Sequence, residues 1–282
     1  MKTDKKYNRF INHFTFFFLV LYFLQSSFHT FAQNDPFPYT MKRMDYALVP
    51  IGIAVKYLSS NWVDQLDIMT MEEISGLDKA SVNRFDRPAI DNFSLTYDNI
   101  SDILRTSLVL LPSSILIHQS ANRNWNNTLT YGMIYLEAYL YTRGITDFVK
   151  TISKRKRPYL YNNNLTVEER YEFTKQRDSY GSFFSGHTTA VFASAVCFSK
   201  TFEDIYGKSV WSKAVWTTTL TTASIVGYCR YASGEHFPTD VIAGAVIGSA
   251  VGYIVPVIHK SPAMKNLSLS MNPGILHLTY TF

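Results

Sequence analysis

Residues 229–258 read CRYASGEHFPTDVIAGAVIGSAVGYIVPVI, and this stretch decides the fold class. Val241 to Ile258 is uncharged and long enough for a well-buried helix, and Pro238 suits the first turn of that helix because its fixed φ is already helical. His236 therefore stands just before the helix and Asp240 inside its start. An aspartate that close can accept a hydrogen bond from Nδ1–H of His236, which leaves Nε2 unprotonated and nucleophilic. Alone, a His and an Asp four apart are as often a helix-surface pair. Arg230 precedes His236 by six positions.

Working outward, four more apolar stretches have helical length and pattern: Ile103 to His118, Leu129 to Lys150, His187 to Lys200 and Val210 to Tyr228. Polar loops separate them, notably Asn162 to Asn164 and the charged run Glu168 to Asp178. Upstream, Asp45 to about Leu104 mixes apolar and acidic segments broken by Pro88 and reads as an N-terminal helical layer. The tail from Leu267 alternates in polarity around Pro273-Gly274, the pattern of a β-hairpin. The expected fold class is all-α, a helical bundle of about six core helices with an N-terminal helical layer and a short C-terminal β-hairpin. The segments are 1–32, 33–100, 101–260 and 261–282.

The first of these segments has Lys2, Lys5, Lys6 and Arg9, then an apolar run from Phe16 to Leu24, then Thr30-Phe31-Ala32. It reads as a secretory signal peptide cleaved after Ala32, since the apolar run falls short of the ~20 residues of a spanning helix. The expected location is the periplasm or cell envelope, with membrane association. Only Val241 to Ile258 is uncharged and nearly long enough to span, and the mean hydropathy of −0.05 is low for a chain with six spanning helices. The 282 residues carry a net charge of +5, concentrated near the N-terminus and from Lys150 to Arg157, which points to a local anion site. Export argues against nucleic acid as the partner of that basic run. Two cysteines, Cys197 and Cys229, allow at most one bridge, and their spacing is not that of a zinc site. No metal ligand set and no cofactor is expected.

Two further motifs join the first. Lys150 and Arg157-Pro158 stand seven apart, close to two helical turns, so both cations should face one way, with Pro158 ending the helix near Arg157. Ser185-Gly186-His187 opens the next apolar run. Serine is a good N-cap and glycine lets a ligand approach, so this helix start is an anion cradle carrying a histidine. Together the motifs supply fixed cations (Lys150, Arg157, Arg230), helix N-terminal amides (Ser185, Gly186), an oriented imidazole (His236) and a second one (His187). Those are the parts an in-line displacement at phosphorus needs, because catalysis there is largely positioning and charge stabilisation.

At these positions the chain resembles the type 2 phosphatidic acid phosphatase superfamily, whose signature is Lys-x6-Arg-Pro, Pro-Ser-Gly-His and Ser-Arg-x5-His-x3-Asp. The resemblance covers roughly Asp102 to Lys260. It implies a helical bundle and a metal-independent phosphatase working through a phosphohistidine. His236 would be the nucleophile, Asp240 the support of its imidazolium, and His187 the acid for the leaving alkoxide and then the base for water. Lys150, Arg157, Arg230, Ser185 and Gly186 would hold the phosphoryl oxygens. Phe184 stands where the pattern has proline and Cys229 where it has serine, which trades a hydroxyl donor for a weaker thiol. The aromatic flank of Tyr159, Tyr161, Phe183 and Phe184 suggests a lipid tail beside the phosphate, either a lipid phosphate or a diphosphate, or else simply core packing. Two alternatives share the site: a vanadium-dependent haloperoxidase, and an inactive envelope protein that keeps the fold.

Overall fold

A computed structural model describes residues 37–66, 68–176, 179–260, 267–272 and 275–280. The signal-peptide segment expected at 1–32 lies outside the described residues. The helices are α1 (Asp45–Asp64), α2 (Met71–Ser75), α3 (Leu95–Leu110), α4 (Ser113–Ala121), α5 (Trp125–Ser153), α6 (Val167–Gln176), α7 (Gly186–Tyr206), α8 (Val210–Ala232) and α9 (Pro238–His259). Leu267–Asn272 and Ile275–Tyr280 run antiparallel with Leu267 opposite Tyr280. The protein is mainly helical, as its periodicity implies.

The bundle is built around α7. Its residues are small on several faces (Ala190, Ala193, Ser194, Ala195), so neighbouring helices approach from all sides and nearly the whole element is buried. Phe198 and Phe202 of α7 pack with Leu108 of α3, Ile115 of α4, Tyr131 of α5 and Val226 of α8 in the largest apolar cluster. The closest neighbour is α9, and the reason is in its sequence. Gly244, Gly248 and Gly252 recur every four residues and so line one helix face. A Cβ at Gly248 would stand 2.3 Å from the carbonyl oxygen of Thr189, and one at Gly252 would stand 2.4 Å from that of Ala193. Backbone lies against backbone there, and no side chain fits between. The start of α9, with Asp240, is thereby held against the start of α7, where Ser185 N–H donates to the Asp240 carbonyl at 3.1 Å.

The N-terminal layer is α1 on α5, again through glycine: a Cβ at Gly144 would be 2.7 Å from Val55 Cγ1. The rest of that layer differs from a plain helical reading. Between α1 and α3 lie only short α2 and two 3₁₀ turns, Lys79–Ser81 and Arg87–Asp91, the second with proline in its first turn. The expected helix from Ile103 to His118 begins earlier, at Leu95, and is interrupted where Pro112 caps α4.

The charged run taken as a loop, Glu168 to Asp178, is largely helix α6. Thr166 and Glu169 exchange side-chain-to-backbone hydrogen bonds of 2.8 and 3.1 Å, a capping box that satisfies the first-turn donors. Val167, Tyr171 and Phe173 then cover Tyr159 and Leu160. High charge masked a helix whose apolar side is short but sufficient.

Candidate active site

The three sequence motifs converge at one end of the bundle. α5 carries Lys150 in its last turn and stops at Ser153, where Lys154 adopts a left-handed φ of 43°. Arg157 is therefore not on the helix. It lies in extended chain ahead of the 3₁₀ turn Pro158–Tyr161, so the two cations reach one site through the turn at Lys154 and not through helical spacing. Helical spacing therefore does not set the relation between the two cations, both of which bear on His236 by charge.

Arg157 is buried, and its Nη1 donates to Glu235 Oε2 at 2.8 Å and lies 3.3 Å from Nε2 of His236. Arg230, in the last turn of α8, is equally buried. It donates to Asp98, to Ser101 Oγ at 3.1 Å and to the same Glu235 oxygen at 3.1 Å. One carboxylate thus holds two guanidiniums together beside an imidazole. Burial, followed by the charges of Arg157, Arg230 and Lys150, pushes the His236 pKa well below its usual 6.5.

The orientation of His236 differs from the expected arrangement. Its Nδ1 lies 2.8 Å from the carbonyl oxygen of Ser182, while Asp240 Oδ2 stands 3.7 Å away. Nδ1–H donates to the backbone, which leaves Nε2 without a proton and accepting from Arg157 Nη1. Asp240 is occupied elsewhere. It accepts from Ser182 Oγ at 2.5 Å, Phe237 N–H at 2.9 Å and Arg155 Nη1 at 2.6 Å. Its link to the imidazole runs through the Ser182 hydroxyl, and the carbonyl of that same residue receives Nδ1–H.

Ser185 caps α7 as its sequence suggests, accepting from Thr188 N–H at 3.4 Å. Gly186 follows in the first turn, with space for a Cβ at ordinary contact distances of 3.4 Å from Thr146 Cγ2 and 3.5 Å from Arg143 Nη1. His187 in that turn pairs its Nε2 with Asp102 Oδ1 at 2.7 Å. Burial and Arg230 press the His187 pKa down to about 3 against the pull of Asp102. Both imidazoles are neutral as long as nothing anionic lies between the cations.

Residues 131–262 match the model of the PAP2 superfamily, and this span contains every site residue read from the sequence. Over this segment, somewhat less than half of its length, the chain is similar to the PAP2 superfamily. It is also 36% identical over 77 residues to the lipid A 4′-phosphatase of Porphyromonas gingivalis, a stretch covering 27% of this chain and 28% of that relative's length. Among solved structures it is similar to a transmembrane PAP2 type phosphatidylglycerolphosphate phosphatase from Bacillus subtilis, with a TM-score of 0.37 and 17% identity over 86% of this chain and 92% of the other. A superposition that loose adds nothing about fold or activity.

Against the PAP2 signature, the residues missed from sequence stand out. Asp86, Asp98 and Asp102 lie upstream of the matched segment, yet each holds one of its cations or imidazoles. Asp86 Oδ2 takes Arg155 Nη2 at 2.6 Å, and Arg155 also lies over the Phe237 ring at 4.3 Å. Glu235 is next to the nucleophile candidate, and only its neighbourhood with His236 could have flagged it. The PAP2 position held by Cys229 is buried in α8, its thiol pKa raised by that burial.

Proposed function

We propose that this protein is a phosphatase acting on lipid-linked phosphate esters or diphosphates, with His236 as nucleophile and a phosphohistidine intermediate. The observation that carries the reading is the His236 ring itself. Its Nδ1 is fixed by the Ser182 carbonyl, and its unprotonated Nε2 lies 3.3 Å from a buried guanidinium that could bind the oxygens of the group it attacks. Nε2 forms the new bond to phosphorus as the ester P–O bond breaks, and His187, which the negative charge of the bound phosphate and its Asp102 partner hold protonated, gives that proton to the leaving oxygen. The same residue then takes a proton from water, which displaces the histidine and releases phosphate. Arg157, Arg230, Lys150 and the Gly186 amide at the start of α7 bind the phosphoryl oxygens throughout; the Ser185 N–H expected beside it is taken by the Asp240 carbonyl.

Two observations support a lipid substrate. The matched relative is a lipid A 4′-phosphatase. Large apolar side chains also stand exposed on the outer faces of α1, α5, α8 and α9, among them Tyr46 (72%), Leu129 (67%) and Val246 (61%), which suits a protein seated at a membrane of the cell envelope. Pro238–His259 is long and apolar enough for a bilayer by length and composition, as is the stretch Leu95–Ala121, which the turn at Leu111-Pro112 divides into α3 and α4.

The test is rapid acid-free quenching with a labelled lipid phosphate, followed by detection of acid-labile label on the chain. Wild type should show transient labelling, His236→Ala none with turnover reduced at least ~10³-fold, and His187→Ala persistent labelling because the second step stalls. Normal turnover in His236→Ala sinks the reading.

A further inference from the structure

Far from the phosphate cradle, three titratable side chains meet inside the protein: Asp45 at the start of α1, Glu137 in the middle of α5 and His259 at the end of α9. All three are buried, with Glu137 and His259 fully so. His259 Nε2 lies 3.2 Å from Asp45 Oδ1 and 3.5 Å from Glu137 Oε2, and one ligand atom from each residue lies within 4.8 Å of the others. Neither oxygen of Glu137 accepts a hydrogen bond among the described residues, nor does His259 Nε2 find a hydrogen-bond partner there.

We propose that Asp45, Glu137 and His259 form a divalent-cation site that clasps α1, α5 and α9 together. Charge is the first reason. Two buried carboxylates beside one imidazole leave a net negative charge even with the ring protonated, an arrangement that is costly without further compensation. A divalent cation with a neutral imidazole brings the sum to zero. Spacing is the second. Ligands held about 2.1 Å from one ion are separated by about 3.0 Å in octahedral and about 3.4 Å in tetrahedral geometry, and the two measured separations, 3.2 and 3.5 Å, fall in or next to that range. The third reason is the surrounding support. His259 Nδ1 lies 2.8 Å from the Val255 carbonyl, which fixes the tautomer with Nε2 aimed at the carboxylates, and the other Asp45 oxygen accepts Lys42 N–H. One nitrogen and two carboxylate oxygens suit zinc, manganese or ferrous iron.

The site is not part of the reaction centre. Asp240 and His259 stand at opposite ends of α9, roughly 28 Å apart along the axis at 1.5 Å per residue. The ion would act on stability, tying the N-terminal helix to the core.

Tag-free full-length protein purified without chelator should carry about one equivalent of a first-row divalent metal, and its Tm should fall by about 5 °C or more on chelation and recover on adding zinc or manganese. X-ray absorption of the bound ion should report one imidazole with oxygen donors and no sulfur. Glu137→Gln, nearly isosteric, should lose the metal and the Tm response together, with Asp45→Asn as a second variant should the first not fold. Wild type without metal whose Tm ignores added zinc, manganese and iron overturns the proposal and leaves a cluster sharing a proton. Sulfur ligation, or undiminished binding by a folded variant, overturns it equally.

Discussion

Glu235 shows how tightly the site is balanced. Its carboxylate is the shared partner of two buried guanidiniums, so Glu235→Ala should destabilise the protein by about 3–5 kcal/mol, the cost of leaving buried charge unpaired, read as a fall in Tm. Asp240 makes a different prediction. Because the backbone of Ser182, and not Asp240, accepts from Nδ1 of His236, Asp240→Asn should slow turnover by about 10- to 100-fold and not by the ~10⁴ typical when a direct partner sets the tautomer. The two histidines also fix a pH dependence. The unfolded chain takes up protons near 6.5, whereas His187 in the folded protein waits until about 3. Between those values the unfolded state binds more protons, so this contribution to stability is full above 6.5 and is lost as pH falls toward 3. Thermal melts across that window should show the decline, and saturating vanadate should reduce it by placing negative charge among the cations. These residues were legible unevenly. Cations and imidazoles sit at fixed spacings within short motifs, but Asp86, Asp98 and Asp102 lie many residues upstream, and a carboxylate brought in by tertiary folding leaves no spacing to read.

At the level of elements, the starts of α7, α8 and α9 followed from the sequence to within a residue, because Ser or Pro stands ahead of each apolar run, while α7 and α8 continue six and four residues past the expected ends at Lys200 and Tyr228. Where local signals compete, reading was poorer. The capping box of α6 was outweighed by its charge, and α3 and α4 were fused because Pro112 can sit in the first turn of a new helix as well as end an old one. The glycine stripe of α9 carries the sharpest prediction at this scale. Gly248→Ala places a methyl against the Thr189 backbone, which cannot rotate away, so α7 and α9 must separate. The expected cost is about 1–3 kcal/mol with an accompanying loss of activity, since both helix starts carry the site; parallel melts and assays of the variant check it.

Across the whole molecule, apolar side chains face outward on several helices at once, while the polar and charged residues of the site are turned inward at one end. A water-soluble protein scatters its exposed apolar residues singly. The full chain should accordingly stay with the membrane fraction through high salt and be released by detergent, and its activity on a lipid phosphate should depend on detergent or vesicle composition far more than its activity on a small soluble ester. Release by salt alone would contradict this placement.

The Ser182 carbonyl that receives Nδ1–H of His236 belongs to the main chain, and no codon change can delete a main-chain oxygen. Substitutions can weaken the cations or reshape the pocket, yet whatever side chain position 182 carries, its backbone still offers the oxygen that keeps the proton on Nδ1.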